Sequence, residues 1–459
     1  MKRFPRTIEG ARVTVMGLGQ FGGGLGVTRW LMERGARVLL TDREGHDRLQ
    51  APLAQLADAL GSGRVALRLG GHDARDFAEA DLVVANPAVP RPWDDPFLSA
   101  ARAAGTPVTT EIRLAIDGID RARTVGITGS AGKSSTASMV ALLLGDLPRR
   151  ARLGGNIGGS LLGSPAAPGE WTVLELSSAM LWWLHEGAAW AGLPAWSPRV
   201  AVLTNLAPNH VDWHGSLGHY LRSKGGIRAA QVPGDAFVSL FGHEQGDAAA
   251  RMAAEAGGAW WSTGAADAAG LDALLAAIDM PAVPGEHQRR NARLAVLAAE
   301  AAIRSEGGVP DRGRLLARLG DFRSLPHRLE YLGEHAGMRC YNDSKSTTPD
   351  ATLLAVRAFP EPRRIHLIAG GYDKKIDLGT IRGLAAELAG LYAIGATAGQ
   401  LAPEPPALDC GTLESAVRAA AVRARPGDIL LLSPACASWD QFTNYEERGR
   451  TFAELVKNL

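Results

Sequence analysis

The run TVGITGSAGKSSTASMV, Thr124 to Val140, carries a short β-branched segment into a glycine-rich turn and on into an alanine-rich helical pattern. A strand that ends in such a turn and feeds a helix belongs in an α/β sheet, so this run constrains the surrounding fold more than any other. The strand delivers the chain to Gly129, Ser130, Ala131 and Gly132, where small or absent side chains let backbone N–H groups close around phosphate oxygens. Lys133 then supplies a point charge, and Ser134 a hydroxyl suited to a phosphate-bound Mg²⁺. The longer signature G-x-x-x-x-G-K-[ST] would need glycine where Ile127 stands, so only the tighter form T-G-x-x-G-K-S is present. The plainer alternative is a glycine turn that caps a helix beside an exposed lysine.

At 459 residues the chain is too long for one core and suggests about three domains of ~150 residues. Lys plus Arg (49) nearly balance Asp plus Glu (48), so no global field draws the chain to nucleic acid or to an anionic membrane. An anionic substrate must be met locally. Cys340, Cys410 and Cys436 show no C-x-x-C spacing, which fits a reduced protein whose cysteines are core residues. The basic start MKRFPRTIEG leads into no apolar stretch, and no run approaches ~18 apolar residues. A cytoplasmic protein without membrane insertion is expected.

In the first segment, Ala11 to Met16 reads as a strand, followed by Gly17-Leu18-Gly19, then Gly22, Gly23, Gly24 and Gly26, and a helix ending near Gly35. A second strand, Arg37 to Leu40, ends at Asp42 and Arg43. This is a Rossmann-like opening: the glycines admit a diphosphate, and the acid at the second strand's end can bond a ribose or base. Taken alone, it also fits a nicotinamide-dependent oxidoreductase. The strand Leu82 to Ala85 leads to Asn86-Pro87-Ala88-Val89-Pro90, a rigid loop where open α/β sheets place ligands, though a structural turn reads equally well.

Past the phosphate loop, Asn156 stands among glycines in GGNIG as a plausible diphosphate contact or a plain loop residue. The apolar strand WTVLEL ends in Glu175, a carboxylate well placed to hold Mg²⁺ beside a phosphate loop. Val200 to Asn205 is a further strand whose loop carries Asn209, His210, Asp212 and His214 before a helical pattern with Tyr220 and Lys224. A lone histidine is as often structural as functional. Here N-x-x-P-x-H-x-D is followed by a lysine about fourteen residues later.

Phosphate loop, acid, N-x-x-P-x-H-x-D and lysine, in that order, resemble the Mur ligases. GEHQRRN, with Asn291, is similar to the family's G-x-H-N-x-x-N element, with Gln288 in place of its first asparagine. Further on, LPHRLE, NDSKST, GGYDK and SPACASWDQFTNYEERG resemble the branch that adds D-glutamate to UDP-N-acetylmuramoyl-L-alanine. The branch usually has NDSKATN where this chain has NDSKSTT, and phenylalanine at Tyr445.

The resemblance implies an α/β fold in three domains: a Rossmann-like UDP-substrate domain (1–111), a central P-loop ATPase-type domain with a mostly parallel sheet (112–325), and a Rossmann-like domain for amino acid and ATP (326–459). It implies an ATP-dependent amide ligase of peptidoglycan synthesis, working as a monomer on UDP-N-acetylmuramoyl-L-alanine, glutamate and ATP. ATP would meet Gly129, Ser130, Ala131, Gly132, Lys133, Ser134, Ser135, Asn291, His327, Arg328, Asp343 and Lys345. Two Mg²⁺ ions would sit on Ser134, Glu175, His210 and a CO₂-derived carbamate on Lys224, with Lys133, Glu175, His210 and Lys224 serving catalysis. The UDP-substrate would be held by Gly17, Leu18, Gly19, Gly22, Asp42, Arg43, Asn86 and Asn156, and the amino acid by Thr347, Lys374, Ser438 and Tyr445. The same chemistry with L-glutamate or another amino acid is the near alternative. A non-catalytic NTP-binding regulator would not need His210, Lys224 and Thr347 together, an oxidoreductase leaves Lys133 and Lys224 unused, and a folate polyglutamylating ligase lacks the Rossmann-like first segment.

Overall fold

The structure, a computed structural model, describes residues 4–5, 7–18, 23–145, 151–163, 166–240, 259–262, 270–271, 273–275, 278 and 284–459. The expected glycine contacts at Gly19 and Gly22 lie outside the described residues. Among the described residues, no helix is long and apolar enough to cross a membrane.

Three sheets organise the chain. The first contains β1 (Arg12–Met16), β2 (Arg37–Asp42), β3 (Val65–Leu69), β4 (Leu82–Ala85) and β5 (Val108–Thr110), all parallel, in the order β3-β2-β1-β4-β5. The inner strand β4 (LVVA) is an apolar run because both faces are covered, as parallel sheets require, whereas the edge strand β3 is largely exposed. The second contains β6 (Thr124–Thr128), β7 (Ala151–Gly155), β8 (Trp171–Glu175), β9 (Val200–Leu203), β10 (Ala236–Ser239) and β11 (Ala259–Ser262), also all parallel, in the order β11-β10-β9-β6-β8-β7. The third contains β12 (Glu330–His335), β13 (Met338–Asn342), β14 (Ile365–Gly370), β15 (Gly390–Ile394), β16 (Leu408–Gly411) and β17 (Ile429–Leu432), in the order β12-β13-β17-β14-β15-β16. There β12 is an antiparallel edge and the other pairings are parallel.

The chain forms two compact units, one of residues 1–273 and 291–316 with the first two sheets, the other of residues 274–290 and 317–459 with the third. In the first unit, helix α1 (Gly23–Glu33) follows β1, α2 (Lys133–Leu144) follows β6, α3 (Ser178–Leu184) follows β8, and α4 (Val211–His214) and α5 (Leu217–Ala229) follow β9. Helix α6 (Glu286–Ser305) runs from one unit into the other, and α7 (Tyr445–Lys457) belongs to the second.

Strand order fixes where ligands can bind. In an open parallel sheet, the crevice lies at the carboxyl ends of strands whose connections leave in opposite directions. In the first sheet that point lies between β1 and β4, which end in the Gly17 and Asn86 loops. In the second it surrounds β6, flanked by β8 and β9, so the phosphate loop, Glu175 and the Thr204–His210 loop converge. Cys340 and Cys436 are buried as expected, whereas Cys410 is half-buried because β16 is an edge strand.

Candidate active site

Strand β6 is buried throughout and ends at the phosphate loop. Gly132 takes φ 78° at the start of α2, and a Cβ there would strike the carboxamide of Asn291, which α6 brings onto the loop. The first half of the loop is braced by the end of β9. The Asn205 carboxamide oxygen accepts the Ser130 N–H (3.1 Å) and the Ala131 N–H (2.9 Å), while the Thr204 hydroxyl donates to the Ala131 carbonyl (2.5 Å). Ser130 Oγ lies 2.7 Å from the Tyr220 hydroxyl. The second half, Gly132 to Ser135, is the first turn of a helix, whose amides lack intrahelical acceptors and could take an anion. Lys133 Nζ donates to the carbonyls of Gly129 (3.0 Å) and Ser130 (3.2 Å).

Glu175 is 2% exposed at the last position of β8. Its Oε1 accepts from the Asn156 side-chain amide at 2.9 Å, while Oε2 is buried without a hydrogen-bond partner. An orphaned carboxylate oxygen costs free energy unless something cationic completes it. Lys224, on α5, is 1% exposed and donates to Thr128 Oγ1 (2.9 Å) and the Gly129 carbonyl (2.7 Å). Burial, with Lys133 nearby, pushes its ammonium well below the usual lysine range. His210 sits at φ 50°, with burial and then the charges of Lys133 and Lys224 lowering its pKa. His214, one turn on, is buried between Ser178 Oγ (2.9 Å) and His219 Nδ1 (2.8 Å), and burial pushes its pKa down to about 4.

A cavity of about 450 Å³ opens between the first sheet and the β7 and β8 loops. Gly17, Leu18, Asn86, Glu111, Asn156 and Ser160 line it. Asp42 does not face the cavity as a free acid: its carboxylate accepts the N–H of Leu18 (2.8 Å) and of Glu44 (2.9 Å), fixing the glycine turn. Arg43 pairs with Asp95 at 3.1 Å. Glu111 closes one wall, accepting from Ser160 Oγ at 2.6 Å, and burial raises its pKa.

In the second unit the loops after β13, β14 and β17 meet. His327, at φ 63°, accepts the Asn342 amide on Nδ1 (2.9 Å), and burial lowers its pKa. Asp343 accepts from the Leu329 N–H (3.1 Å) and Ser433 Oγ (2.8 Å), and burial pushes its pKa up to about 6. Arg328 donates its backbone N–H to the Leu325 carbonyl at 3.1 Å, and the Lys345 N–H bonds the His327 carbonyl at 3.1 Å. Lys345 Nζ lies over the Tyr445 ring (5.2 Å) and Lys374 Nζ over the Trp439 ring (5.6 Å). Ser438 is buried in the loop after β17, and Thr347 lies in the loop before Pro349.

Three family descriptions match successive parts of the chain: Mur ligase MurD-like, N-terminal domain, over residues 11–110; Mur ligase middle domain, over 127–299; and Mur ligase, glutamate ligase domain, over 327–436. The chain belongs to the Mur ligase family. It is 38% identical to the UDP-N-acetylmuramoylalanine--D-glutamate ligase of Anaeromyxobacter dehalogenans, with 98% of each chain covered. It is 35% identical to the protein of that name from Acidobacterium capsulatum, over 98% of this chain and 96% of the relative. Among solved structures, it shares its fold with the UDP-N-acetylmuramate-alanine ligase MurC of Thermotoga maritima (TM-score 0.56, 19% identity, 98% of this chain and 99% of that one). The MurF ligase of Thermotoga maritima in complex with ADP is similar (TM-score 0.55, 15% identity, 100% and 97%).

Three features of this Mur ligase escape motif reading. Asn205 opens N-x-x-P-x-H-x-D, yet its task as the loop's brace shows only when β9 lies beside β6. Arg448, in the EERG tail, is buried and donates to Ser344 Oγ (3.0 Å) and to the carbonyls of Ser344 (2.9 Å), Cys436 (3.1 Å) and Ala437 (3.2 Å). The Glu111–Ser160 bond joins residues 49 apart in sequence and carries no local signal.

Proposed function

We propose that this Mur ligase joins D-glutamate to UDP-N-acetylmuramoyl-L-alanine, using ATP to activate the substrate carboxylate as an acyl phosphate, in peptidoglycan precursor synthesis. The observation that carries the reading is the match to relatives of that name across 98% of the chain. Soluble nucleotide-linked substrates and ATP suit a cytoplasmic monomer.

The residues fit the chemistry. Transfer of a phosphoryl group to a carboxylate brings two anions together, and catalysis is then largely positioning and charge neutralisation. We assign Gly129 to Ser135 and Asn291 to ATP, together with His327, Arg328, Asp343 and Lys345. Among the described residues, no three His, Cys, Asp or Glu side chains gather as a metal cage. Mg²⁺ needs none, since it takes one or two protein oxygens with phosphates and waters. The orphaned Glu175 Oε2 and the Ser134 hydroxyl fit one such ion, which would neutralise phosphate charge when bound.

Lys224 is best read as a carbamate. Only the neutral amine adds CO₂, and burial favours that form. The N–C bond forms as the amine proton leaves, turning a would-be cation into a carboxylate that, with His210, fits a second Mg²⁺. The UDP-substrate occupies the cavity of Gly17, Leu18, Asn86 and Asn156, with Asp42 and Arg43 shaping its edge. Thr347 and Lys374 hold the side-chain carboxylate of glutamate, and Ser438 and the chain at Tyr445 the α-carboxylate.

Holding both carboxylates fixes the amine's direction, so inverting the α-carbon aims it away from the acyl phosphate. A displacement of ~1 Å can cost ~10²-fold in rate. Phosphate release with UDP-N-acetylmuramoyl-L-alanine and either D- or L-glutamate tests the reading. D-glutamate is expected to be turned over faster. A preference for the L-isomer would trace to the pocket changes at Ser346, Thr348 and Tyr445, and no release with either would refute the function.

A further inference from the structure

Trp213 ties two loops that end on different sheets. Its indole N–H donates to the Pro87 carbonyl (3.1 Å), its carbonyl accepts the Arg91 N–H (3.1 Å), and its own N–H donates to the His210 carbonyl (3.1 Å). The ring is buried, edge-on to Trp93 at 5.7 Å and Trp182 at 6.1 Å, and 4.5 Å from the His214 ring. On one side lies the turn Asn86-Pro87-Ala88, which lines the 450 Å³ cavity. On the other lies His210.

Both loops are held in backbone conformations that side chains disfavour: Arg91 at φ 42° and His210 at φ 50°. Such residues keep their shape only while their surroundings over-determine it. Trp213 is bonded to both through its backbone, while its indole N–H holds the Pro87 carbonyl, so the two loops meet at one residue whose ring is wedged into an aromatic cluster. A ligand that presses on the Asn86 turn displaces the Pro87 carbonyl, and a packed ring passes that displacement on instead of absorbing it.

We propose that Trp213 is a positioning residue that couples occupancy of the first-sheet cavity to the placement of His210, so that the UDP-substrate and the metal-bound nucleotide bind cooperatively. The inference rests on the proposed function, which gives the cavity its ligand. Coupling of this kind is reciprocal and appears as a ratio of affinities.

The experiment is calorimetric titration of UDP-N-acetylmuramoyl-L-alanine into the full chain, with and without Mg²⁺ and β,γ-imido-ATP. In the unaltered protein, the nucleotide should tighten substrate binding by about tenfold. Trp213→Phe keeps a ring in the cluster but loses the indole N–H, and its ratio should fall to within about twofold of one. Trp190→Phe, a change elsewhere in the same cluster where Trp190 stands edge-on to Trp182 at 5.2 Å, should keep the full ratio. A purely structural role for Trp213 would weaken substrate binding equally in both conditions and leave the ratio intact, which overturns the proposal. A ratio of one in the unaltered protein overturns it without any variant. Absence of substrate binding altogether would remove the functional reading itself, and the proposal with it.

Discussion

Asn156 grips Glu175 twice: its backbone N–H donates to the Glu175 carbonyl and its side-chain amide to Oε1, each at 2.9 Å. The same asparagine lines the first-sheet cavity, so one side chain serves both the proposed metal acid and the proposed sugar-nucleotide site. Asn156→Ala should raise the Mg²⁺ concentration needed for half-maximal phosphate release, by the ~10- to 100-fold typical of lost partners to a metal ligand. A Mg²⁺ titration identical to that of the unaltered protein would remove Asn156 from this role.

Lys133→Ala and Glu175→Ala should each abolish phosphate release while calorimetry still detects UDP-N-acetylmuramoyl-L-alanine. Both residues flank β6, whereas the cavity belongs mainly to the first sheet. If both ligands were lost together, the division of the two sites would be wrong.

Lys224→Ala should lose nearly all turnover and regain part of it when a small carboxylic acid is added, since the added carboxylate can stand where the carbamate would. An alanine variant as active as the original protein would sink the carbamate. Mass measurement of the intact protein kept under CO₂ offers a second readout.

Asp343 gives a pH signature. Burial raises its carboxyl to about 6 from 3.8, so between those values the folded chain holds a proton that the unfolded chain releases. The stability this lends is complete below the unfolded pKa and is lost as pH rises through about 6. Asp343→Asn removes the titration, so its unfolding free energy relative to the unaltered protein should rise from about pH 5 to about pH 8. Urea unfolding at the two values checks this, and a constant difference contradicts it.

Arg448→Ala should destabilise the second unit by about 2–4 kcal/mol, because removing a buried guanidinium leaves its carbonyl partners unpaired and opens a cavity. Chemical denaturation measures it. A loss below about 0.5 kcal/mol, the range of ordinary surface changes, would show that its four bonds are dispensable.

Strands β1, β2, β4, β6, β8, β9, β13, β14 and β17 were legible because buried strands write themselves as apolar runs punctuated by turns, whereas an exposed edge strand such as β3 carries no such run. The position of Glu175 was legible for a related reason: the apolar run WTVLEL places it at the end of a buried strand. Asn205, Trp213 and Arg448 were not. Each acts on backbone groups of a segment distant in sequence, and which segment that is depends on strand order, which no local pattern encodes. Asp42 shows a task the local pattern does not spell out: its oxygens hold the Leu18 and Glu44 amides and so shape the glycine turn.

If the loop holds ATP as proposed, the brace that Asn205 and Thr204 place on Ser130 and Ala131 bears on how fast nucleotide can be captured. A loop already held in shape by its own chain gives up its conformational freedom during folding, and little is left to give up when ATP arrives. Preorganisation of this sort lets an encounter become a complex without waiting for the loop to order, so association would be set by diffusion and steering, and affinity mostly by how slowly the nucleotide leaves.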